Sequence, residues 1–74
     1  MVVEVRLFAT FREGRFKNRR LDLPGGTSVG ALLSQLGIQE KEMGILLVNG
    51  GNATVHKKLA ANDVVSIFPL IAGG

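Results

Sequence analysis

Only one stretch of this chain carries helical periodicity, and that limits what it can fold into. Val29, Leu32, Leu33 and Leu36 recur at i, i+3, i+4 and i+7 and form a single apolar stripe. Thr27 or Ser28 can cap the first turn, and Gly37 suits the position just past the last. The spacing predicts one amphipathic helix over residues 28–36. Gly30 inside it costs about 1 kcal/mol against alanine, so either the helix is marginal there or something packs close to its backbone. A lone stripe cannot be buried against a second helix, so the other apolar residues must supply a sheet.

Period-two alternation supplies it. From Val2 to Phe8, Val3, Val5 and Leu7 lie on one side and Glu4 and Arg6 on the other, as in a half-buried strand. Leu21 and Leu23 flank Asp22 in the same way, so residues 19–23 read as the return strand of a hairpin with a long polar loop over 9–18. Pro24-Gly25-Gly26 forces a turn before the helix. After it, Ile45-Leu46-Leu47-Val48 is a continuous apolar run between Gly44 and Asn49-Gly50, predicted as a buried strand. Ala53-Thr54-Val55 is expected as a short edge strand, Leu59 as a plug into the core, and Ala61-Asn62-Asp63 as a turn. Val64 to Phe68 is the last strand. The order β-β-α-β-(β)-β defines an α+β fold, a mixed sheet of four to five strands with one helix packed across it. At 74 residues there is room for one core. We place the domain at 1–68, with Pro69 ending the hydrogen bonding of the last strand. Residues 69–74 then form a tail that reaches roughly 20 Å when extended.

Composition removes most internal chemistries. Without cysteine there are no disulfides, thiolate metal sites or cysteine nucleophiles, and a reducing cytoplasmic setting is expected. No basic segment precedes an apolar stretch at the start, and no apolar run approaches the roughly 20 residues of a membrane helix, so neither secretion by that route nor membrane insertion is expected. His56 sits beside Lys57 and Lys58 with no acid at ligand spacing, so no metal site is expected. Gly25-Gly26 lacks the Gly-Lys-Ser/Thr that would make it a phosphate loop. Arg6, Arg12, Arg15, Lys17, Arg19 and Arg20 concentrate the positive charge in the first twenty positions. They lack a repeated stacking pattern, so a solvated loop or a surface for an acidic partner is expected rather than a nucleic-acid site.

The tail is what remains for function. Ten glycines in 74 residues make a terminal pair an event of about 2% by chance, squaring that frequency. The apolar Leu70 and Ile71 before the pair need a further reason, since idle tails are more often polar. Two terminal glycines can enter a channel too narrow for any other residue. The α-carboxylate of Gly74 can attack the α-phosphate of ATP, and a sulfur nucleophile can convert the resulting acyl-adenylate to a thiocarboxylate. No internal base or metal is required. No stably bound cofactor is expected, with ATP used by an activating partner. Phe68, Pro69, Leu70, Ile71, Ala72 and Gly73 are the candidate partner-binding residues, and Gly74 is the reacting one.

Phe8-Ala9-Thr10-Phe11-Arg12-Glu13, Val48-Asn49-Gly50 and the run from Asn62 to Gly74 together resemble the MoaD/ThiS sulfur carriers over the whole chain. The resemblance implies a β-grasp (ubiquitin-like) fold. It also implies activation of Gly74 by a ubiquitin-activating-type adenylating enzyme, and sulfur delivery from a Gly74 thiocarboxylate. The Phe-Ala-x-x-Arg-Glu pattern with Phe68-Pro69 is similar to the molybdopterin synthase small subunit, which inserts its tail into a large catalytic subunit. Ile71-Ala72-Gly73-Gly74 is equally similar to the carrier that serves thiazole synthase in thiamine synthesis. Ala61-Asn62-Asp63 stands where the family often has Asp-Gly-Asp, and Pro69-Leu70 where it often has Pro-Pro. By itself the chain is then a non-catalytic carrier, or the small subunit of a sulfurtransferase. A β-grasp binding module acting through its basic hairpin loop and a protein modifier joined through Gly74 are the competing readings.

Overall fold

The first alternating segment forms β1 (Val2–Leu7), with Val3, Val5 and Leu7 removed entirely from solvent. In the computed structural model, which describes residues 1–70, β1 leads through a 3₁₀ turn at Ala9–Arg12 into β2 (Asn18–Asp22). Helix α1 (Val29–Leu36) follows, then a second 3₁₀ turn at Glu40–Glu42, β3 (Met43–Val48), β4 (Gly51–Asn52) and β5 (Val64–Pro69). The five strands lie in the order β2-β1-β5-β3-β4. β1 and β5 are parallel at the centre, with Val5 opposite Val65 and Leu7 opposite Ile67, while the other neighbours are antiparallel. Val29, Leu32 and Leu33 of α1 join the inward residues of β1, β3 and β5 in a single core that Phe11, Leu23, Ile38 and Leu59 close. This is the expected α+β arrangement and the β-grasp topology.

The helix ends are built as the sequence predicts. Ser28, not Thr27, is the N-cap, its Oγ accepting the Ala31 N–H at 3.2 Å. Gly37 takes φ +73°, and its N–H and that of Ile38 donate back into the last turn. Gly30 is explained by a neighbour: its N–H donates to the Val55 carbonyl at 2.9 Å, and a Cβ there would lie 3.3 Å from that oxygen. The same contact corrects the expectation for Ala53-Thr54-Val55. The edge strand is Gly51–Asn52, paired with Leu47 and Val48; the Ala53 N–H still donates to the Leu46 carbonyl at 3.1 Å, and Thr54 and Val55 then turn across the start of α1.

Two further expectations are corrected. Pro69 does not end the ladder: β5 includes it, opposite Met43, and the Leu70 N–H donates to the Glu42 carbonyl at 2.9 Å. Alternation puts the missing Pro69 N–H on the same side as the Ile67 carbonyl, which accepts from Phe8 of the β1 side. There the neighbouring chain has already left the sheet for its 3₁₀ turn, so the absent donor is not needed. The boundary placed after Phe68 therefore falls inside β5. The second correction concerns Arg12 and Arg15, which are not loosely solvated. Arg12 Nε donates to the Leu7 carbonyl at 2.7 Å, and Arg15 reaches the Leu36 and Gly37 carbonyls at 2.9 and 3.2 Å, satisfying the end of α1.

Polar side chains tie two turns together at the far end of β3. Asn49 and Gly50, at φ +54° and +82°, make the two-residue hairpin between β3 and β4. The Asn49 amide donates to Asp63 Oδ1 at 2.9 Å and its Oδ1 accepts from the Val64 N–H at 2.9 Å. The Ala60 N–H donates to Asp63 Oδ2 at 2.8 Å. That bond first, then the Asn49 amide and the charge of Lys57, holds the Asp63 carboxyl below its ordinary 3.8. A carboxyl with a lowered folded pKa contributes stability that is complete above the ordinary aspartate range and is lost as the pH falls through its folded value. The stability difference between wild type and Asp63→Asn, measured by urea unfolding, should therefore be constant near neutrality and shrink progressively below about pH 4.

Candidate docking face at the root of the tail

Because α1 covers one face of the sheet, the alternate residues of β1, β3 and β5 point to the other. Val65 and Ile67 are buried inward, so Ser66 and Phe68 face outward, and the register sets Ile45 opposite Phe68 and Leu47 opposite Ser66. The apolar run at 45–48, expected to be wholly buried, thus alternates: Leu46 and Val48 are in the core while Ile45 is 51% exposed. Leu70, two residues past Phe68 at the end of the described chain, is 62% exposed.

An aromatic pair anchors this face. The rings of Phe8 and Phe68 stack with centroids 4.0 Å apart and planes 7° from parallel. The Arg12 guanidinium lies 5.3 Å from the Phe8 centroid, held there by its bond to the Leu7 carbonyl. Arg6 and Glu4 form an ion pair on the outer side of β1. The result is an apolar band of Phe8, Phe68, Ile45 and Leu70 with arginine at its margin, the composition that interface centres favour over general surface. It lies where β5 leaves the sheet, at the root of the segment that bears Gly74.

The sequence-predicted site residues divide accordingly. Phe68 and Pro69 belong to β5 and Leu70 is presented at its end, while Ile71, Ala72, Gly73 and Gly74 lie outside the described residues. Ile45 was not singled out from sequence because it sits in a continuous apolar run, and only the register to Phe68 reveals its outward direction. Phe8 and Arg12 occur in the opening motif, but the stacking of Phe8 on Phe68 needs the parallel pairing of β1 with β5. Among the described residues no cluster of three or more His, Asp or Glu side chains could hold a metal. His56 lies in an open depression with Asn52, Thr54 and Lys57, at the end of β3 remote from Phe68. No described helix is long and apolar enough to cross a membrane.

The five-stranded sheet with one helix across it is the ubiquitin-like fold that sulfur carriers and protein modifiers share. The model of the ThiS family matches residues 5–74, and the chain belongs to that family. No curated protein sequence matches it significantly. Among solved structures it is similar to the HVO 2177 protein of Haloferax volcanii, with 30% identity over all of this chain and 87% of that one at a TM-score of 0.81. SAMP1 from the same organism is 28% identical over the whole of both chains, with a TM-score of 0.77. A chain assigned as molybdopterin converting factor subunit 1 from Pyrococcus furiosus is 25% identical over 96% of this chain and 99% of that one, with a TM-score of 0.78.

The stacked rings make a direct prediction. A double-mutant cycle between Phe8→Leu and Phe68→Leu, read by chemical denaturation, should return a coupling of about 0.5–1.5 kcal/mol beyond the area each residue buries.

Proposed function

We propose that this protein is a sulfur carrier that delivers sulfur from Gly74 in molybdopterin biosynthesis. The observation that carries the reading is the coincidence of the apolar band with the exit of β5: a partner that docks on Phe8, Ile45, Phe68 and Leu70 receives the end of the chain at the same time. In the first step a carboxylate oxygen of Gly74 attacks the α-phosphate of ATP on a ubiquitin-activating-type adenylating enzyme, and pyrophosphate leaves. In the second, a sulfur nucleophile attacks the acyl carbon and AMP leaves, giving the thiocarboxylate. That sulfur then bonds to a carbon of the precursor on the large subunit of a molybdopterin synthase as an oxygen leaving group departs, and water cleaves the resulting thioester at the acyl carbon, leaving the sulfur on the precursor and the carboxylate on Gly74. The partners supply catalysis and ATP binding, in the cytoplasm. The chain holds no cofactor of its own; Phe68 and Leu70 meet the partner's surface next to Pro69, and Ile71, Ala72 and Gly73 enter its channel behind Gly74.

Similarity to a molybdopterin converting factor subunit 1 over nearly the full length of both chains supports the pathway. The ThiS family match keeps thiazole synthase in play as the alternative recipient. Full-length similarity to SAMP1, a small archaeal modifier protein, favours a second reading in which Gly74 forms an isopeptide bond with lysines of other proteins. The basic hairpin loop is a weaker rival, since Arg12 and Arg15 are committed to main-chain carbonyls.

Intact mass spectrometry of the chain from its native host should find a fraction heavier by the difference between sulfur and oxygen, and deletion of Gly74 should abolish both that species and sulfur transfer. Sulfur transfer that survives the deletion rules the carrier reading out, and lysine adducts without a thiocarboxylate favour the modifier. Ile45→Arg should weaken binding to the large subunit roughly thirtyfold, about 2 kcal/mol, as measured by calorimetry.

A further inference from the structure

Gly44 lies where the end of β5 is gripped by its neighbour. β3 and β5 pair from Val48 opposite Val65 to Ile45 opposite Phe68, the register then shifts, and pairing resumes with Met43 opposite Pro69. Gly44 is the extra residue of that bulge. A Cβ built on it would lie 2.8 Å from the Pro69 carbonyl oxygen and 3.1 Å from both the nitrogen and the Cα of Leu70. All three atoms are main chain, so no rotamer change could relieve the overlap and the two strands would have to separate. Gly44 is not among the residues at positive φ. Glycine is required here for space and not for conformation.

The grip continues past the bulge. The Leu70 N–H donates to the Glu42 carbonyl at 2.9 Å, and Glu42 is fixed in turn because its side chain accepts the Gln39 N–H at 3.1 Å. The main chain is thereby held through Leu70, one residue beyond the proline expected to release it.

We propose that Gly44 is a positioning residue, whose missing side chain lets the Glu42–Ile45 segment clamp Pro69 and Leu70 and so aims the residues that carry Gly74 at the activating partner. The inference rests on the carrier reading and adds a geometric limit to it. With Leu70 held, the four residues from there to the carboxylate have an extended length of at most about 14 Å, rather than the roughly 20 Å counted from Pro69. A partner docked on the apolar band must then place its ATP within that distance of Leu70. Releasing the clamp frees Leu70 but leaves Phe8, Ile45 and Phe68 of the band in place, so the preorganised direction of delivery is lost and turnover should suffer more than affinity.

The test compares Gly44→Ala with Gly51→Ala, where a Cβ would meet only the Val48 carbonyl at 3.8 Å. Hydrogen exchange at the Leu70 amide reads the clamp, and ATP–pyrophosphate exchange by the adenylating enzyme of the same host reads delivery. Gly44→Ala should keep protected core amides while Leu70 exchanges roughly tenfold faster or more. Its kcat should fall roughly fivefold, with KM changed by less than about twofold. Gly51→Ala should match wild type in every measurement. Gly44→Ala with wild-type Leu70 protection and wild-type kcat overturns the proposal. Should that variant not fold, the wild-type chain decides: Leu70 protection near that of Ile67 supports the clamp, and exchange at the free-peptide rate overturns it. Absence of pyrophosphate exchange with the wild-type chain instead overturns the carrier reading, and the Leu70 amide still decides the clamp.

Discussion

The parallel pairing of β1 with β5 is the contact on which the other elements depend. Val5 lies against Val65 and Leu7 against Ile67, all four are fully buried, and every other strand is added to one side or the other of this pair. Parallel neighbours need a crossover between them, and here the crossover is nearly everything else in the chain, with α1 laid over the face that the pair makes apolar. The pairing also sets Phe8 beside Phe68, so the ring stack at the tail's root follows from the register of the core. Docking face and hydrophobic core are opposite sides of the same strands.

Charge has a mostly structural role in this small molecule. Arg15 completes the helix end that Gly37 turns away from, Arg12 holds one aromatic ring in place, and Asn49 and Asp63 lock the turn after β3 to the turn before β5. Such bonds are modest singly, but those of Arg15 to the Leu36 carbonyl and of Asn49 to the Val64 N–H satisfy main-chain groups at element ends. They also account for motif residues whose spacing alone gives no reason: Asn49 serves both the hairpin and the start of β5.

Local pattern carried the reading of the fold far. The stripe from Val29 to Leu36, its cap at Ser28, its stop at Gly37 and the alternation of β1 are properties of a few neighbouring residues, and each appears where the spacing places it. The differences along the strands involve partners distant in sequence. Thr54 and Val55 look like strand until the first turn of α1 claims the Val55 carbonyl. Pro69 looks like a stop until one notices that its absent N–H faces a side with no partner. Ile45 looks buried until Phe68 fixes its direction. Of the candidate site, Phe68 to Leu70 could be named from sequence, whereas Phe8, Arg12, Ile45 and Gly44 required the register between strands. The resemblance to sulfur carriers supplied the fold family, which periodicity alone leaves at α+β.

The central position of β5 also has a mechanical side. A partner that seizes the end of this chain and draws on it loads β5 along its own axis, between a parallel ladder to β1 and an antiparallel ladder to β3. Both sets of hydrogen bonds are then strained in shear and must yield together, whereas an edge strand peeled sideways would give way one bond at a time. Force applied through a strand in the middle of the sheet thus meets the resistance of both ladders at once.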